Sequence, residues 1–262
     1  MPAPNLRAIF DEDPEGYHRT RPGYPDELFD DLAQLTELGR GCRVAEVGPG
    51  TGQATAALVG HGADVVAVEI GPGLASVLQR RLGAGTVEVV VSAFEDWVLP
   101  EQPFDLVTAF TAWHWLERSV RAPKVADALR PGGALATVST VHVRDGSEEF
   151  FARAQECYQR WDPTTRPGLV LPSVDEVPPA VDEVDDSDLF QPAVRRRYEQ
   201  ELAYTAEAYV ELLTTYSGHR ALEPPQRTGL LSCLADLINE DFDGSITKRY
   251  LYELRVARRS ER

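Results

Sequence analysis

Long apolar runs, cysteines and surplus positive charge are all scarce in this sequence of 262 residues. No apolar run approaches the ~20 residues of a membrane helix, and the opening MPAPNLRAIF lacks the apolar core of a signal peptide. The 3 cysteines are widely spaced, which predicts reduced thiols in a cytoplasmic protein and argues against a disulfide framework or a cysteine-based zinc site. The net charge of −16 argues against sequence-independent binding to nucleic acid or anionic membranes.

Up to about residue 144, the sequence shows a regular alternation of predicted strands and helices. Because each apolar strand is followed by a helical pattern, we predict an α/β fold with a doubly wound, mostly parallel sheet. The apolar fraction of 43% is sufficient to fill a real core. The predicted strands in this part of the chain are 44–47, 64–70, 87–91, 104–110 and 134–141.

The pattern changes after Val143. A helix is expected over 147–161, then a loop or cap rich in proline and acid over 162–190, including Pro163 and Pro167. The acids from 175 to 188 are interpreted as a solvated face, and Arg195 to Arg197 as partners of nearby acidic surface. The remaining predicted elements are a strand at 192–203, helices at 206–216 and 224–239, and a strand at 244–259.

A glycine-rich loop follows the first predicted strand. Gly48, Gly50 and Gly52 recur at every second position, and helix-forming residues resume at Gln53. A strand that leads into such a loop and then a helix forms a ligand site at the carboxyl edge of an open α/β sheet. A dinucleotide site needs the spacing G-x-G-x-x-G, whereas here the third glycine comes one place early. Glu46 would repel a pyrophosphate but would suit a ligand with an ammonium or sulfonium charge.

The ends of the next two predicted strands carry further candidate ligand contacts. Glu69 ends the second strand 21 residues after Gly48, a spacing at which an acid can accept both ribose hydroxyls. The alternative is a solvated strand-end carboxylate. In this architecture the third strand ends beside the adenine pocket, where Phe94 could cover a ring and Glu95 or a backbone N–H could bind the amino edge.

Two tryptophans flank a histidine after the fourth predicted strand, in the order Trp113, His114, Trp115. This carboxyl edge is where cofactor and acceptor would meet, so His114 is a candidate general base, with Tyr17 and His18 as alternatives. The competing interpretation is that the tryptophans are wall and core and that His114 bonds only to backbone. The aromatic, polar segment from Tyr17 to Tyr24 is either a surface arm or a lid over the ligand.

These motifs resemble those of class I S-adenosylmethionine-dependent methyltransferases, in the branch that includes trans-aconitate methyltransferase-like and many small-molecule methyltransferases. The resemblance extends over nearly the whole chain, and its first motif with its acid is specific for the superfamily. The residues that carry it are Glu46 to Gly52 (EVGPGTG), Val68-Glu69, Phe104 to Val107, Ala112 to Leu116, Leu129 to Gly133, Tyr17 to Pro25 and Gly244 to Thr247.

The resemblance implies a Rossmann-like, seven-stranded sheet with an antiparallel edge strand and a helical cap. It implies S-adenosylmethionine as the cofactor, S-adenosylhomocysteine as the product, no metal, and a small-molecule acceptor methylated on oxygen or nitrogen, with a carboxylate possible. It also implies that the three glycines line the methionine end and that residues 93–95 meet adenine. Many members have Asp where this chain has Ala93. The cofactor-site prediction comprises Glu46, Gly48, Gly50, Gly52, Gln53, Glu69, Ile70, Ala93, Phe94, Glu95 and Thr111.

The complete prediction is one continuous domain in a monomer or homodimer. Its segments are a lid and helix (1–40), a cofactor-binding core (41–144), a cap insertion (145–190) and carboxyl-terminal edge strands (191–262) with a helical cap at 205–240. The acceptor is expected to contact Tyr24, Trp113, His114 and Trp115. Two other functions stay open: an NAD-linked oxidoreductase, and a binding protein without catalysis that keeps the fold.

Overall fold

The computed structural model describes residues 8–83, 85–162, 164–166, 168 and 170–261. The start of the predicted lid (residues 1–7) lies outside this range, as do Pro163 and Pro167 of the predicted cap. Within the described ranges, no helix combines the length and the apolar character needed to cross a membrane.

Seven strands and nine α-helices account for most of the described residues. The strands are β1 Arg43–Val47, β2 Asp64–Glu69, β3 Glu88–Val91, β4 Phe104–Phe110, β5 Leu129–Val143, β6 Val194–Thr205 and β7 Ser245–Arg258. The helices are α1 Pro14–Thr20, α2 Asp26–Thr36, α3 Gln53–Gly60, α4 Pro72–Leu82, α5 Arg118–Ala128, α6 Glu148–Trp161, α7 Ala206–Thr214, α8 Ser217–Arg220 and α9 Pro224–Asp241.

The strands form one sheet in the order β3-β2-β1-β4-β5-β7-β6. The ladders that join β3, β2, β1, β4 and β5 are parallel, and antiparallel strands complete the other edge. The strand order reverses between β1 and β4. Open α/β sheets bind ligands at such a reversal. The predicted fold class is therefore confirmed, including the seven strands.

The start of β5 differs from the prediction. The fifth strand was predicted to begin at residue 134, but β5 begins at Leu129 and includes the segment from Arg130 to Gly133. Gly132 has a φ of 72°, and the ladder to β4 shifts register between Phe104 and Leu106. A local irregularity of this kind lets a strand continue through residues that otherwise favour a turn.

The chain folds into two compact units. Unit 1 comprises the described parts of residues 1–21, 141–178 and 199–251, and unit 2 comprises residues 22–140, 179–198 and 252–262 as far as they are described. The core of unit 2 is built from apolar side chains of the central strands and the helices beside them, such as Val47, Val107 and Val125. The predicted division into lid, core and caps stays a prediction.

Unit 1 contains a disulfide that contradicts the prediction of reduced thiols. Cys157 on α6 and Cys233 on α9 are bonded, with their Cα atoms 5.8 Å apart, while Cys42 is a buried thiol. The two helices pack so closely that a Cβ added at Gly229 of α9 would lie only 2.4 Å from the Trp161 ring of α6. The cysteines are 76 positions apart, so their spacing gave no sign that two helices would bring them together. The disulfide removes the ground on which a cytoplasmic location was predicted.

Candidate functional site

The loop after β1 has a backbone that only glycine adopts without strain. Gly48, Gly50 and Gly52 have φ values of 66°, 59° and 88°. A Cβ at Gly48 would also lie 2.7 Å from the Cβ of Ala112, in the loop after β4. The loop thus needs glycine both for its backbone conformation and for the close approach of a neighbour, as expected for a ligand cradle.

Glu46 of β1 is a buried carboxylate without a hydrogen-bond partner among the described residues. Glu46 is only 1% exposed, and neither of its carboxylate oxygens accepts a hydrogen bond from a described residue. Burial raises the pKa of Glu46 to about 7; the nearby Thr55 hydroxyl offsets part of this rise and the charge of Glu69 adds to it. Because a buried, unpaired charge is costly, this position favours a ligand that brings a positive charge.

Glu69 lies at the end of β2, where the sequence predicted a ribose contact. Its Oε2 accepts a hydrogen bond from the backbone N–H of Gly50 at 2.9 Å, and its Oε1 accepts one from Gly71 at 2.8 Å. The carboxylate therefore ties the glycine loop to the turn that contains Ile70. The carboxylate is thus fixed at the carboxyl edge of the sheet, and its contact with the ribose stays a prediction.

Gln53 provides a second buried polar atom without a described partner. Its Oε1 accepts a hydrogen bond from the Thr51 hydroxyl at 3.1 Å, but its Nε2 is buried and unbonded. An unsatisfied amide N–H at the start of α3 would stabilise an acceptor oxygen of a bound ligand. The glycine loop, Glu46 and Gln53 together fit a ligand with both a cationic and an oxygen-bearing end.

The segment after β3 is largely occupied by contacts within the protein. The Ala93 carbonyl accepts hydrogen bonds from the backbone N–H groups of Asp96 and Trp97, at 3.1 and 3.0 Å. Phe94 is buried and its ring packs 6.3 Å from that of Trp97. The Glu95 carboxylate accepts a hydrogen bond from the Glu117 backbone N–H at 2.8 Å. The ring of Phe94 thus belongs to the core, and the prediction that it covers adenine stays untested.

The loop after β4 begins with a strained residue. Thr111 has a φ of 52°, which is rare for a β-branched side chain and recurs at functional sites. Its hydroxyl is within hydrogen-bond distance of the Tyr24 hydroxyl at 3.1 Å and of Thr140 at 3.0 Å. The Tyr24 ring also packs edge-on against Tyr252. These contacts hold Tyr24 and Thr111 together at the carboxyl edge of the sheet.

Trp113 has its polar and apolar parts both engaged by protein groups. Its indole N–H donates a hydrogen bond to Asp182 at 2.7 Å, and the Arg121 guanidinium lies 4.7 Å from its ring centroid. Arg121 also donates to the Trp113 carbonyl and pairs with Glu183. The interpretation of Trp113 as a structural core residue, which the sequence analysis left open, therefore fits these contacts.

His114 has the exposure and basicity that a proton acceptor needs. The residue is exposed, and its ring lies 4.9 Å from the Trp115 ring. Partial burial of the ring, and secondly the charge of Arg121, lower its pKa below the ordinary value of a histidine. The imidazole is thus neutral at neutral pH and able to accept a proton. The structure leaves its assignment as a base untested.

Three of the acids that the sequence assigned to a solvated face are instead paired with arginine. Arg255, which is 3% exposed, donates to Asp182 at 2.7 Å and to Asp185 at 3.0 Å. Arg195 also pairs with Asp185, which confirms the predicted partnership of that arginine with nearby acids, and Glu183 pairs with Arg121. The solvated-face prediction was wrong here because Asp182 and Asp185 pack against Arg255 of β7 and Glu183 packs against Arg121 of α5. Sequence spacing gives no signal for a pairing 73 positions apart.

The other two candidate catalytic residues lie in unit 1. Tyr17 and His18 are both on α1, a helix absent from our predictions for this segment. Asp13 caps the start of α1 by accepting a hydrogen bond from the Gly16 N–H at 2.9 Å, and Pro14 occupies the first turn. Their roles stay predictions. In unit 2 the structure brings together the glycine loop, Glu46, Glu69 and the loop after β4.

Comparison with known proteins agrees with this geometry. Residues 45–137 match the family profile described as "Methyltransferase domain". An uncharacterized methyltransferase of Mycobacterium tuberculosis is 42% identical over 122 residues, which are 47% of this chain and 48% of the relative. The chain thus spans about half the length of the curated relatives it matches first.

Two solved structures share the fold across nearly the whole chain. A candidate type II methyltransferase from Anaeromyxobacter dehalogenans has a TM-score of 0.62 at 21% identity, covering 91% of this chain and 97% of its own. An S-adenosylmethionine-dependent methyltransferase from Thiobacillus denitrificans, solved with S-adenosylhomocysteine, has a TM-score of 0.52 at 15% identity, covering 97% and 99%.

Proposed function

We propose that this chain, of which residues 45–137 match the methyltransferase domain profile, is a class I, S-adenosylmethionine-dependent enzyme that methylates a small-molecule acceptor on oxygen or nitrogen. The observation that carries the proposal is the Glu46 carboxylate, which is buried and unpaired in the described structure beside a loop of three glycines with positive φ. A ligand with ammonium and sulfonium charges would supply the missing cation. Such a ligand also explains why the third glycine departs from the pyrophosphate-binding spacing.

The residues of unit 2 would bind and orient the cofactor. In this proposal the three glycines admit its methionine end, Gln53 donates to one of its oxygens, and Glu69 accepts the ribose hydroxyls. Residues 93–95 border its adenine, through backbone groups rather than the buried Phe94 ring. When bound, S-adenosylmethionine supplies an activated methyl group.

The protein's contribution to the rate is then mainly the alignment of the acceptor with that methyl group, because well-oriented reactants gain most of the available acceleration. His114 is the first candidate for the proton acceptor when the acceptor is a hydroxyl or a protonated amine. Its lowered pKa keeps it neutral at neutral pH, as that role requires. A carboxylate acceptor would need no base. Trp115 and Tyr24 are the aromatic residues proposed to contact the acceptor in unit 2.

Equilibrium binding tests the choice between the proposed function and an oxidoreductase. We expect S-adenosylmethionine and S-adenosylhomocysteine to bind, and NADH not to bind, when each is titrated into the protein in a calorimeter. Binding of NADH alone would refute the proposal. Methyl transfer to a panel of hydroxylated and amine-bearing metabolites, followed by release of S-adenosylhomocysteine, then separates an active enzyme from a binding protein that keeps the fold.

A further inference from the structure

Unit 1 contains a second group of buried charged and aromatic side chains, which we call the tyrosine–cation cluster. It consists of Arg21, Tyr209, Tyr216, Lys248 and Tyr250. The Lys248 ammonium nitrogen lies 4.9 Å from the ring centroid of Tyr250, 5.5 Å from that of Tyr216 and 5.8 Å from that of Tyr209. Lys248 is only 4% exposed, so its charge is almost entirely removed from water.

Tyr216 lies between two cations. The guanidinium carbon of Arg21 is 4.6 Å from its ring centroid, and the ammonium nitrogen of Lys248 is 5.5 Å from the same centroid. Arg21 also lies over the Tyr17 ring at 4.9 Å. Aromatic faces attract cations, but each such contact contributes only about 1–2 kcal/mol. The buried Lys248 and the half-buried Arg21 therefore need more than rings to offset their desolvation.

No carboxylate of the described residues forms an ion pair with either cation. The ion pairs among the described residues of unit 1 all involve other arginines, among them Arg19, Arg144 and Arg153. The absence of a partner acid is notable in a chain whose net charge is −16. The cluster is thus a local concentration of cationic side chains without a carboxylate counter-ion from the described part of the protein.

Three buried nitrogen atoms near the cluster also have no hydrogen-bond partner among the described residues. They are Nε of Arg21, Nε2 of His142 and Nδ1 of His219. The His142 ring lies 6.1 Å from the Tyr250 ring, and the His219 ring lies 5.9 Å from the Tyr216 ring. Burial and then the charge of Lys248 lower the pKa of His142 to about 3 and that of His219 to about 4, so both are neutral at neutral pH. Neither histidine adds a competing positive charge, and buried nitrogens without partners favour a polar ligand.

We propose that the tyrosine–cation cluster is a binding site for the carboxylate group of a small organic acid. Lys248 and Arg21 would neutralise the carboxylate, the Arg21 Nε–H would donate to it, and the tyrosine rings would contact its aromatic or apolar body. Arg21 and Tyr216 are half-buried, so the ligand would enter from their side, while Lys248 lies deeper. The proposal concerns unit 1 alone and does not depend on the proposed methyl transfer.

The first test measures binding of benzoate, which joins a carboxylate to an aromatic ring. The sequence has only two lysines, Lys124 and Lys248, so a protein labelled with ¹³Cε-lysine gives two assignable side-chain signals. We expect benzoate to shift the Lys248 signal and raise the pKa of that amine, and to leave Lys124 unchanged. A concentration on the order of 10 mM fills a site whose Kd is about 1 mM. Benzamide, the neutral analogue, should produce no shift.

Variants give an independent readout by calorimetry. We expect Lys248→Met to weaken benzoate binding by about tenfold or more, because a charge-assisted hydrogen bond is lost. Arg21→Gln should weaken it too and tests the proposal if the Lys248 variant does not fold. Arg153→Gln is the matched control, since Arg153 is an exposed arginine of unit 1, and it should bind as the parent does.

Two results would overturn the proposal. One is benzoate binding that is equally strong in the parent and in the Arg21 and Lys248 variants, or equally strong for benzamide. The other is absence of any benzoate-dependent change at Lys248. In that case a tyrosinate absorption band near neutral pH that Tyr216→Phe removes would identify Tyr216, whose pKa the two cations lower, as the counter-ion.

Discussion

Replacing Glu46 with glutamine should make the ligand-free protein more stable and its cofactor affinity weaker. The amide keeps the size of the side chain but removes the ionisable group. Burial raises the pKa of Glu46 from 4.5 to about 7, so the folded protein binds an extra proton between these values. Folding stability therefore falls as the pH rises through this window.

The size of the stability effect follows from the pKa values. The difference between 4.5 and about 7 corresponds to about 3 kcal/mol at pH values above both. Urea unfolding at about pH 8 should show Glu46→Gln to be more stable than the parent by up to this amount, with little difference at about pH 4, where the carboxyl is protonated in both states. Glu88→Gln, an exposed change on β3, is the control and should show no such dependence on pH.

Cofactor binding should change in the opposite direction. A carboxylate that neutralises a buried cation contributes on the order of 1–3 kcal/mol, so S-adenosylmethionine should bind Glu46→Gln roughly tenfold to a hundredfold more weakly. Affinity of the parent should rise with pH as Glu46 ionises near pH 7. Unchanged affinity, or a variant destabilised at about pH 8, would refute the charge argument. General damage to the fold would lower both quantities and is thus distinguishable.

Three further predictions concern other parts of the chain. His114→Ala should lower turnover of a hydroxyl acceptor by about a hundredfold or more with the cofactor Kd unchanged, and near-normal single-turnover rates would exclude a base role. Arg255→Met removes the buried arginine that pairs with both Asp182 and Asp185, so urea unfolding should show a loss of about 3 kcal/mol or more; a loss under ~1 kcal/mol would contradict the pairing described above. Cys157→Ser opens a link to Cys233 that spans 76 positions, and the chain-entropy estimate for such a loop is about 4 kcal/mol, which a lower Tm should report; an identical Tm in oxidised parent and variant would count against the disulfide.

The parallel part of the sheet could be predicted because its signals are local. The run from Phe104 to Phe110 is apolar except for Asp105 and Thr108, and it matches the bounds of β4. Glu46 and Glu69 could be assigned to the same edge of the sheet because parallel strands place their carboxyl ends together. Burial explains why the Glu46 pKa rises, but only the coordinates reveal that its oxygens lack partners in the described structure.

Contacts between distant segments could not be predicted from one sequence. The pairing of Arg255 with Asp182 depends on a fold that brings β7 beside a proline-rich segment. The same applies to the approach of Cys157 to Cys233, because neither helix shows which partner it packs against. Helix α1 was missed because its seven residues include a glycine and a proline and are too few to show an apolar periodicity. The sequence signal for this helix is its N-cap residue, Asp13.

Gly48 and Ala112 are 64 positions apart in the sequence but lie so close in the fold that the residue at one position limits which residues fit at the other. A side chain at position 48 would overlap the methyl group of residue 112, and a larger residue at 112 would enter the space that a glycine leaves open. Glycine at position 112 would remove this overlap, but a side chain at 48 would still be strained because the φ of residue 48 is 66°. In a library that randomises both positions, the surviving clones should therefore keep glycine at 48 and carry only small residues at 112.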